Sequence, residues 1–323
     1  MFLIYTFSLI TSFLTILPLS TSKYWMVRAF DFPRIQFLIV NTTLLLILIF
    51  FKDERVLFNF SLASIILSIG LDIYRIAPYT PLFKMDVKTL NKEINNIHIK
   101  ILCLNILIDN KDYNMTLSMI HETDPDLVLL LETDQNWSVA CSILKEKYRY
   151  QILQPQENGY GILLYSKHEL LDPEIKFLTD ARIPSVFFNI TIDNVNINFI
   201  ALHPSPPGLI KSTSKQRDNE LLEASLWIKS NPKTPVVVFG DFNDVAWSHS
   251  TRKFLRDTNL KDPRRGRGFY STFPASKKLF FMRYPLDQIF LSKEFTLSTI
   301  KVFNSVNSDH LPIFAEISIN RRT

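Results

Sequence analysis

Cysteine is almost missing from this chain. Only Cys103 and Cys141 occur in 323 residues, too few for a disulfide framework, and neither has the spacing of a metal site. Cys103 alternates with Asn105 along one apolar run, where a small apolar filler is its expected role. Histidine is also scarce, with six in all, so two that fall inside short polar motifs carry weight. A bulk positive charge is missing as well. The net charge is +5, but about three of those units precede Asn96. The remainder is nearly balanced, which argues against a broad electrostatic grip on a nucleic-acid duplex. Positive charge is local instead, at Arg252, Lys253, Arg256, Lys261, Arg264, Arg265 and Arg267, then Lys277, Lys278 and Arg283.

Charge is wholly absent from three apolar stretches, Phe2–Leu19, Ile35–Phe51 and Val56–Leu71. Each approaches the ~20 residues that span a bilayer. They account for much of the 47% hydrophobic content and the mean hydropathy of +0.09. Charges gather between them, at Lys23, Arg28, Asp31 and Arg34 and at Lys52-Asp53-Glu54-Arg55, with Tyr24, Trp25 and Tyr74 where interfacial aromatics belong. The first stretch lacks the basic n-region and small-residue cleavage site of a signal peptide, so a retained helix is expected. Buried helices of a soluble domain do not fit, because these stretches have no polar face to turn toward water. Three transmembrane helices over 1–75, a linker over 76–96 containing Pro78 and Pro81, and a folded domain over 97–323 are the expected organisation. Lys23, Arg28 and Arg34 share a side with Arg75, Lys84 and Lys88, so the positive-inside rule places the C-terminal domain in the cytoplasm by a small margin.

From Ile97 onward, strand-like and helix-like runs alternate. Ile97–Leu107, Leu127–Leu131, Gly161–Tyr165, Ser185–Ile192, Val195–Leu202, Val236–Phe239, Leu286–Leu291 and Ile313–Ile317 read as strands. Asp193-Asn194 is a hairpin turn pair. Asn110–Glu122, Gln135–Lys147, Lys215–Lys229 and Ser250–Asp257 read as helices. Hairpins mixed with crossover helices point to an α/β or α+β sandwich. Short polar motifs interrupt these runs: Leu104-Asn105-Ile106, Leu131-Glu132-Thr133, Leu202-His203-Pro204, Gly240-Asp241-Phe242-Asn243, Leu286-Asp287-Gln288 and Ser308-Asp309-His310. Carboxylate, amide and imidazole groups at the ends of buried strands are costly unless they pair with each other or with a metal. Six such sites in one domain imply one polar pocket built across a sheet.

The order and wording of these motifs resemble the endonuclease/exonuclease/phosphatase superfamily, metal-dependent phosphoesterases related to deoxyribonuclease I. Gly240-Asp241-Phe242-Asn243 with Ser308-Asp309-His310 is the most specific part of the resemblance. Asp244–Trp247, Leu260–Tyr270 and Thr272-Phe273-Pro274 look like its bacterial, membrane-attached branch. The resemblance spans roughly Ile97 to Ile319. It implies two packed β-sheets flanked by helices, a four-layer sandwich with its site at one end, in a multi-pass protein of the bacterial inner membrane.

Phosphodiesters resist attack because their anionic oxygens repel nucleophiles and the leaving alkoxide is poor. A hard divalent cation held by oxygen ligands meets both problems. The resemblance assigns Asn105, Glu132 and Asp309 to a Mg²⁺ site that could also take Mn²⁺. Asp241 would orient and deprotonate the attacking water, and Asn243 would donate to a nonbridging phosphate oxygen. His310 would meet the phosphate or act as base, with Asp287 holding its tautomer. His203 would neutralise or protonate the leaving oxygen. Arg267, in the Arg264-Arg265-Gly266-Arg267-Gly268 stretch, is a candidate phosphate contact, since a guanidinium fork suits phosphate. Tyr160, between two glycines, is a weaker candidate than a plain turn residue.

A nuclease-like phosphodiesterase is therefore the first functional expectation. A phospholipid or phosphoinositide headgroup is the alternative substrate, and a catalytically silent membrane-tethered binding module the second alternative. No protein partner is implied.

Overall fold

The computed structural model describes residues 2–20, 22, 24–50, 56–90, 96–206 and 213–321. Lys23, the run Lys52-Asp53-Glu54-Arg55 and residues 91–95 of the expected linker lie outside the described residues.

Residues from 96 onward fold as two facing sheets. The first has strand order β10-β11-β1-β2-β4-β3, built from β1 (Asn96–Asn105), β2 (Leu127–Leu131), β3 (Tyr150–Gln154), β4 (Ile162–Ser166), β10 (Phe295–Val302) and β11 (Ile313–Asn320). The second has order β5-β6-β7-β8-β9, built from β5 (Leu171–Lys176), β6 (Ser185–Ile192), β7 (Val195–Leu202), β8 (Val236–Asp241) and β9 (Asp287–Leu291). β1 runs parallel to β2, and β7 parallel to β8. The other pairings are antiparallel. The expected Asp193-Asn194 turn joins β6 to β7 with both residues at positive φ, +50° and +67°, as a two-residue hairpin requires.

Strand alternation sorts side chains between layers. Along β1, Ile99, Ile101 and Cys103 enter the core between the sheets, where Phe199, Phe239 and Ile289 meet them from the second sheet. Leu102 and Leu104 point the other way, toward Ile120 and Trp137 under the helices α5 (Tyr113–Thr123) and α6 (Gln135–Ala140). On the far side, Ile200, Val238 and Phe290 pack under Leu221 and Phe254 of α7 (Thr213–Ser230) and α8 (His249–Thr258). These are the expected four layers. The helix expected over Gln135–Lys147 divides at Ala140 and continues as a tighter 3₁₀ turn over Cys141–Glu146.

The N-terminal third is a helical bundle of α1 (Phe2–Ile16), α2 (Trp25–Ala29), α3 (Arg34–Phe50) and α4 (Val56–Ile76). Its polarity runs opposite to that of a soluble bundle. Ser8, Thr11, Ser12, Thr15, Asn41, Ser61 and Ser68 are buried among the helices, together with Leu48 and Ile65. Phe2, Leu3, Phe13, Ile39, Phe50, Val56 and Phe60 face outward. The expectation of three spans is corrected here. Phe2–Ser20 and Val56–Tyr79 are long and apolar enough to cross a membrane, whereas Arg34–Phe50 is shorter. It starts at a fully buried guanidinium, which lies 2.8 Å from Asp31, 3.2 Å from Asp72 and 2.6 Å from the Thr15 carbonyl.

Residues 76–90 of the expected linker pack onto the sandwich. Tyr79 is buried and donates to the Ala246 carbonyl at 2.9 Å, Val87 joins the inter-sheet core, and Thr89 bridges to Leu297.

Phe199 is buried in the core between the two sheets. Its ring stacks on Phe188 at 5.2 Å and meets Phe239 edge-on at 6.4 Å. Phe199→Ala should cost about 3–5 kcal/mol of stability, as a buried aromatic truncation does, read from urea unfolding in detergent. A loss below about 1 kcal/mol would show that this layer collapses without the ring.

Candidate active site

The polar motifs converge because parallel strand pairs end at the same rim of each sheet. Asn105 ends β1 beside Leu131 of β2, and Glu132 follows at φ +60°. Across the sandwich, His203 follows β7, Asp241 ends β8, and Asp287 starts β9 directly opposite Asp241. Gly240 lets β8 pass its neighbour closely. It adopts φ +140°, and a Cβ there would stand 1.9 Å from the Leu202 carbonyl oxygen.

One carboxylate oxygen is the hub. Asp241 Oδ2 accepts from Asn105 Nδ2 at 3.1 Å and lies 3.9 Å from His203 Nε2 and 3.6 Å from His310 Nε2. The same Asn105 amide donates to Glu132 Oε1 at 2.7 Å within the first sheet, so with its bond to Asp241 it joins the first sheet to the second. The other Asp241 oxygen accepts the Asn243 backbone N–H at 2.8 Å, and the Asn243 amide donates to the Pro204 carbonyl at 3.0 Å. His310 Nδ1 sits 2.8 Å from Asp287 Oδ2, and its ring packs 4.8 Å from Phe273. Tyr160 approaches His203 with ring centres 5.4 Å apart.

Electrostatics favour a charged imidazole. Burial alone would lower the His310 pKa, but the Asp287 and Asp241 carboxylates outweigh it and push the group up to about 10. Burial raises Asp287 while His310 opposes it, so the pair holds its proton between them, on the imidazole side. With both ring nitrogens protonated, His310 presents a donor at Nε2, 3.6 Å from Asp241 Oδ2.

Asn105, Glu132, His203, Asp241, Asn243, Asp287 and His310 are thus brought to one place. Asp309 is less engaged: it is exposed, and its carboxylate meets the Ser308 hydroxyl at 3.5 Å. The expectation for Arg267 is corrected. Its guanidinium donates to the Pro263 and Val87 carbonyls and to the Thr89 hydroxyl, so it clasps residues 87–89 to the domain. Arg264 is buried on Asp262 and Gln288, and Arg265 pairs with Asp86. The arginine stretch is structural because carboxylates and carbonyls of neighbouring loops already occupy its forks.

Two further residues belong to the site's frame. Ser308 donates to the Asn105 carbonyl at 2.6 Å and accepts the His310 N–H at 3.0 Å, so one hydroxyl joins a metal candidate to a catalytic candidate. Arg217, on α7 and buried, donates to the Asn243 carbonyl at 2.9 Å and lies 3.3 Å from Asp244. Nothing in the sequence around Arg217 distinguishes it from a solvated helix arginine.

The donor set fits a hard divalent cation. Ligand-capable atoms of Asp241, Asp287 and His310 lie within 4.8 Å of one another; a doubly protonated His310 offers no lone pair, so the carboxylates are the donors. Glu132 adds a third carboxylate through Asn105, and the buried Asp287 Oδ1 has no hydrogen-bond partner. Oxygen-rich donors of this kind suit Mg²⁺ or Mn²⁺ rather than softer metals. As placed, the Asn105 amide turns its NH₂ to the carboxylates and commits Oδ1 to the Leu107 N–H at 3.1 Å, so direct ligation would require the amide to turn over.

The sequence profile of the Endonuclease/Exonuclease/phosphatase family matches residues 103–310. The chain belongs to this family, and it is a phosphoester hydrolase. Solved structures agree on the fold. A family protein from Bacteroides thetaiotaomicron is 18% identical with a TM-score of 0.57, covering 70% of this chain and 99% of its own. D. rerio TDP2 complexed with single strand DNA product is 16% identical with a TM-score of 0.56, covering 68% and 98%. Sphingomyelinase C from Streptomyces griseocarneus is 14% identical with a TM-score of 0.53, covering 68% and 99%. No curated protein matches the chain in sequence.

The buried Asp287–His310 contact makes these two residues one unit. His310→Ala should lower kcat by about 10²-fold or more, and Asp287→Asn by less. The double variant should be little worse than His310→Ala, since groups that act together are non-additive. Losses that multiply independently, measured on a soluble phosphodiester, would break the pairing.

Proposed function

We propose that the protein is a membrane-anchored, divalent-cation-dependent phosphodiesterase that hydrolyses its substrate by in-line attack of water. The observation that carries this reading is the shared hub at Asp241 Oδ2, where an amide and two imidazoles meet one carboxylate. Glu132 and Asn105 would hold the cation, Mg²⁺ or Mn²⁺, with Asp309 completing the set from the rim. When bound, the cation neutralises phosphate oxygens and stabilises the leaving alkoxide. Asp241, aimed by the Asn243 N–H, orients the attacking water and takes its proton. Asn243 donates to a nonbridging oxygen. His310, kept cationic by Asp287, donates from Nε2 to the phosphate as charge develops there. His203 neutralises or protonates the leaving oxygen.

Membrane anchorage is supported by the apolar exterior and polar interior of the helical bundle, since lipid-facing helices associate through small and hydroxylated residues. Arg28, Arg34 and Arg75 lie at the end of the bundle that meets the sandwich: Arg34 reaches the Thr15 carbonyl and Asp72, and Arg75 the Trp247 carbonyl. That clustering is the basis for a cytoplasmic sandwich at a bacterial inner membrane. For substrate, the fold neighbours include a protein bound to a single strand DNA product and a sphingomyelinase. The arginine stretch is engaged within the protein, which leaves less of it for a nucleic-acid backbone. A lipid headgroup phosphodiester therefore stands as the second reading, favoured by the tether, which concentrates such substrates.

Hydrolysis of bis(p-nitrophenyl) phosphate by the purified chain should require Mg²⁺ or Mn²⁺. Glu132→Gln should weaken the metal requirement's half-saturation by about tenfold or more, with activity partly restored at high Mg²⁺. Metal-independent turnover, or an unchanged Mg²⁺ titration in Glu132→Gln, would overturn the assignment. The chain should also stay in the membrane pellet through carbonate washing, and release of intact protein would show peripheral attachment.

A further inference from the structure

The cations singled out in the sequence and left unused by the active site do not scatter over the surface. Arg75, Arg252, Arg256, Lys261 and Arg265 line one cavity of about 470 Å³, against the single carboxylate of Asp86. None of the catalytic candidates lines it. Of the five, Arg265 alone makes an ion pair among the described residues, with Asp86 at 3.0 Å. Arg75, which is 7% exposed, spends one nitrogen on the Trp247 carbonyl at 2.9 Å. Arg252 meets only the Tyr74 hydroxyl, at 3.0 Å, and lies over that ring at 5.0 Å. Lys261 meets only the Asn259 amide oxygen, at 3.3 Å. Arg256 has no hydrogen bond or ion pair among the described residues. Arg75 feels the Asp31 charge, with Arg252 and Arg34 opposing it, and none of the four makes an ion pair among the described residues, so an anion that joins them is favoured.

The cavity's position names the anion. Tyr74 and Arg75 lie in the last turn of α4, where that helix meets the sandwich, and Tyr74 is 62% exposed at the rim. Arg252 and Arg256 stand one turn apart on α8 and face the same opening. An arginine cluster beside a helix that leaves a bilayer, with an aromatic at headgroup level, suits a phosphate held at the membrane surface. We infer that this cavity is a binding site for the phosphate-bearing headgroup of an anionic phospholipid, separate from the hydrolytic centre. The lipid as occupant rests on the membrane placement proposed above, while the charge imbalance does not.

The test uses the full chain in nanodiscs of phosphatidylcholine with a minor fraction of phosphatidylglycerol, and reads co-purifying lipid by native mass spectrometry. The wild-type chain should retain phosphatidylglycerol at least ~10-fold over Arg252→Gln/Arg256→Gln, the size of effect expected from losing two charge-assisted contacts. Lys277→Gln/Lys278→Gln, which removes the same charge elsewhere, should retain it like wild type. Lys261→Gln, an accessible side chain with one weak contact, gives a partial loss and covers the case in which the double variant melts early. Equal retention by wild type and the cavity variants, or equal loss in the Lys277/Lys278 variant, overturns the site. Saturable binding of inorganic phosphate in pure phosphatidylcholine discs, without lipid retention, overturns the lipid as occupant. So does binding of an oligonucleotide that the cavity substitutions abolish while lipid retention is unchanged. Carbonate extraction and bis(p-nitrophenyl) phosphate turnover report separately on anchorage and hydrolysis, so failure of this inference is distinguishable from failure of either.

Discussion

The structure of the site depends on one carboxylate being buried where two sheets meet. Asp241 is fully buried at the end of β8, and burying an anion there is tolerable only if donors surround it. Those donors come from both sheets: Asn105 from the first, His203 from β7 beside it, and His310 from the loop before β11. The requirement reaches outward. Asn105 must end its strand in register with Leu131, Gly240 must lack a side chain to pass Leu202, and Ser308 must bridge Asn105 to His310. Each is a backbone condition set by the need to satisfy a buried charge. The second carboxylate, Asp287, is met in the same way by the His310 ring. Three carboxylates and one imidazolium leave the mouth of the site negative, which is the setting that favours a divalent cation.

Much of this was legible in the sequence, and the parts that were not share a physical cause. β6 and β7 match their expected limits, and the central strands β1, β2 and β8 were anticipated, because strands covered on both faces read as continuous apolar runs. The three unanticipated strands, β3, β5 and β10, all lie at sheet edges. An edge strand has one protected side and tolerates charge and proline. β5, with Asp172, Pro173, Glu174 and Lys176, is the clearest case. The site residues were found because polar groups at the ends of apolar runs stand out. Arg217 escaped notice, and Ser308 stood in its motif without a role, because their importance lies in which carbonyls they reach, and that is a property of the fold. Arg267 misled for the converse reason: a guanidinium available to phosphate and one committed to the Val87 carbonyl look alike in sequence.

The N-terminal bundle reverses the usual polarity of a helical bundle. Hydroxyl and amide side chains sit between its helices while phenylalanine and isoleucine face outward. In water this arrangement would expose apolar surface and waste polar groups; in lipid it lets backbones approach and places hydroxyls where they find carbonyls, as Ser8 does on Ile4 and Ser68 on Ser64. The shortness of α3 follows from the same logic. Its first residue, Arg34, is held by Asp31 and Asp72 at the end of the bundle next to the sandwich, a place where a charged cluster can be paired rather than solvated.

That cluster also joins the bundle to the loop behind the active site. The Trp247 indole donates to the Asp31 carbonyl at 2.7 Å, Arg75 donates to the Trp247 carbonyl, and Tyr79 donates to the Ala246 carbonyl. Four residues earlier in the loop, Asn243 donates its backbone N–H to Asp241, and Asp244 is gripped by Arg217 and Ser248. The segment 243–248 is therefore held by the sandwich at one end and by the helices at the other. A free surface loop would sample many positions for Asn243, and the cost of ordering it would fall on each substrate bound. Fastened this way, the order is established when the protein folds, and the helices serve the site.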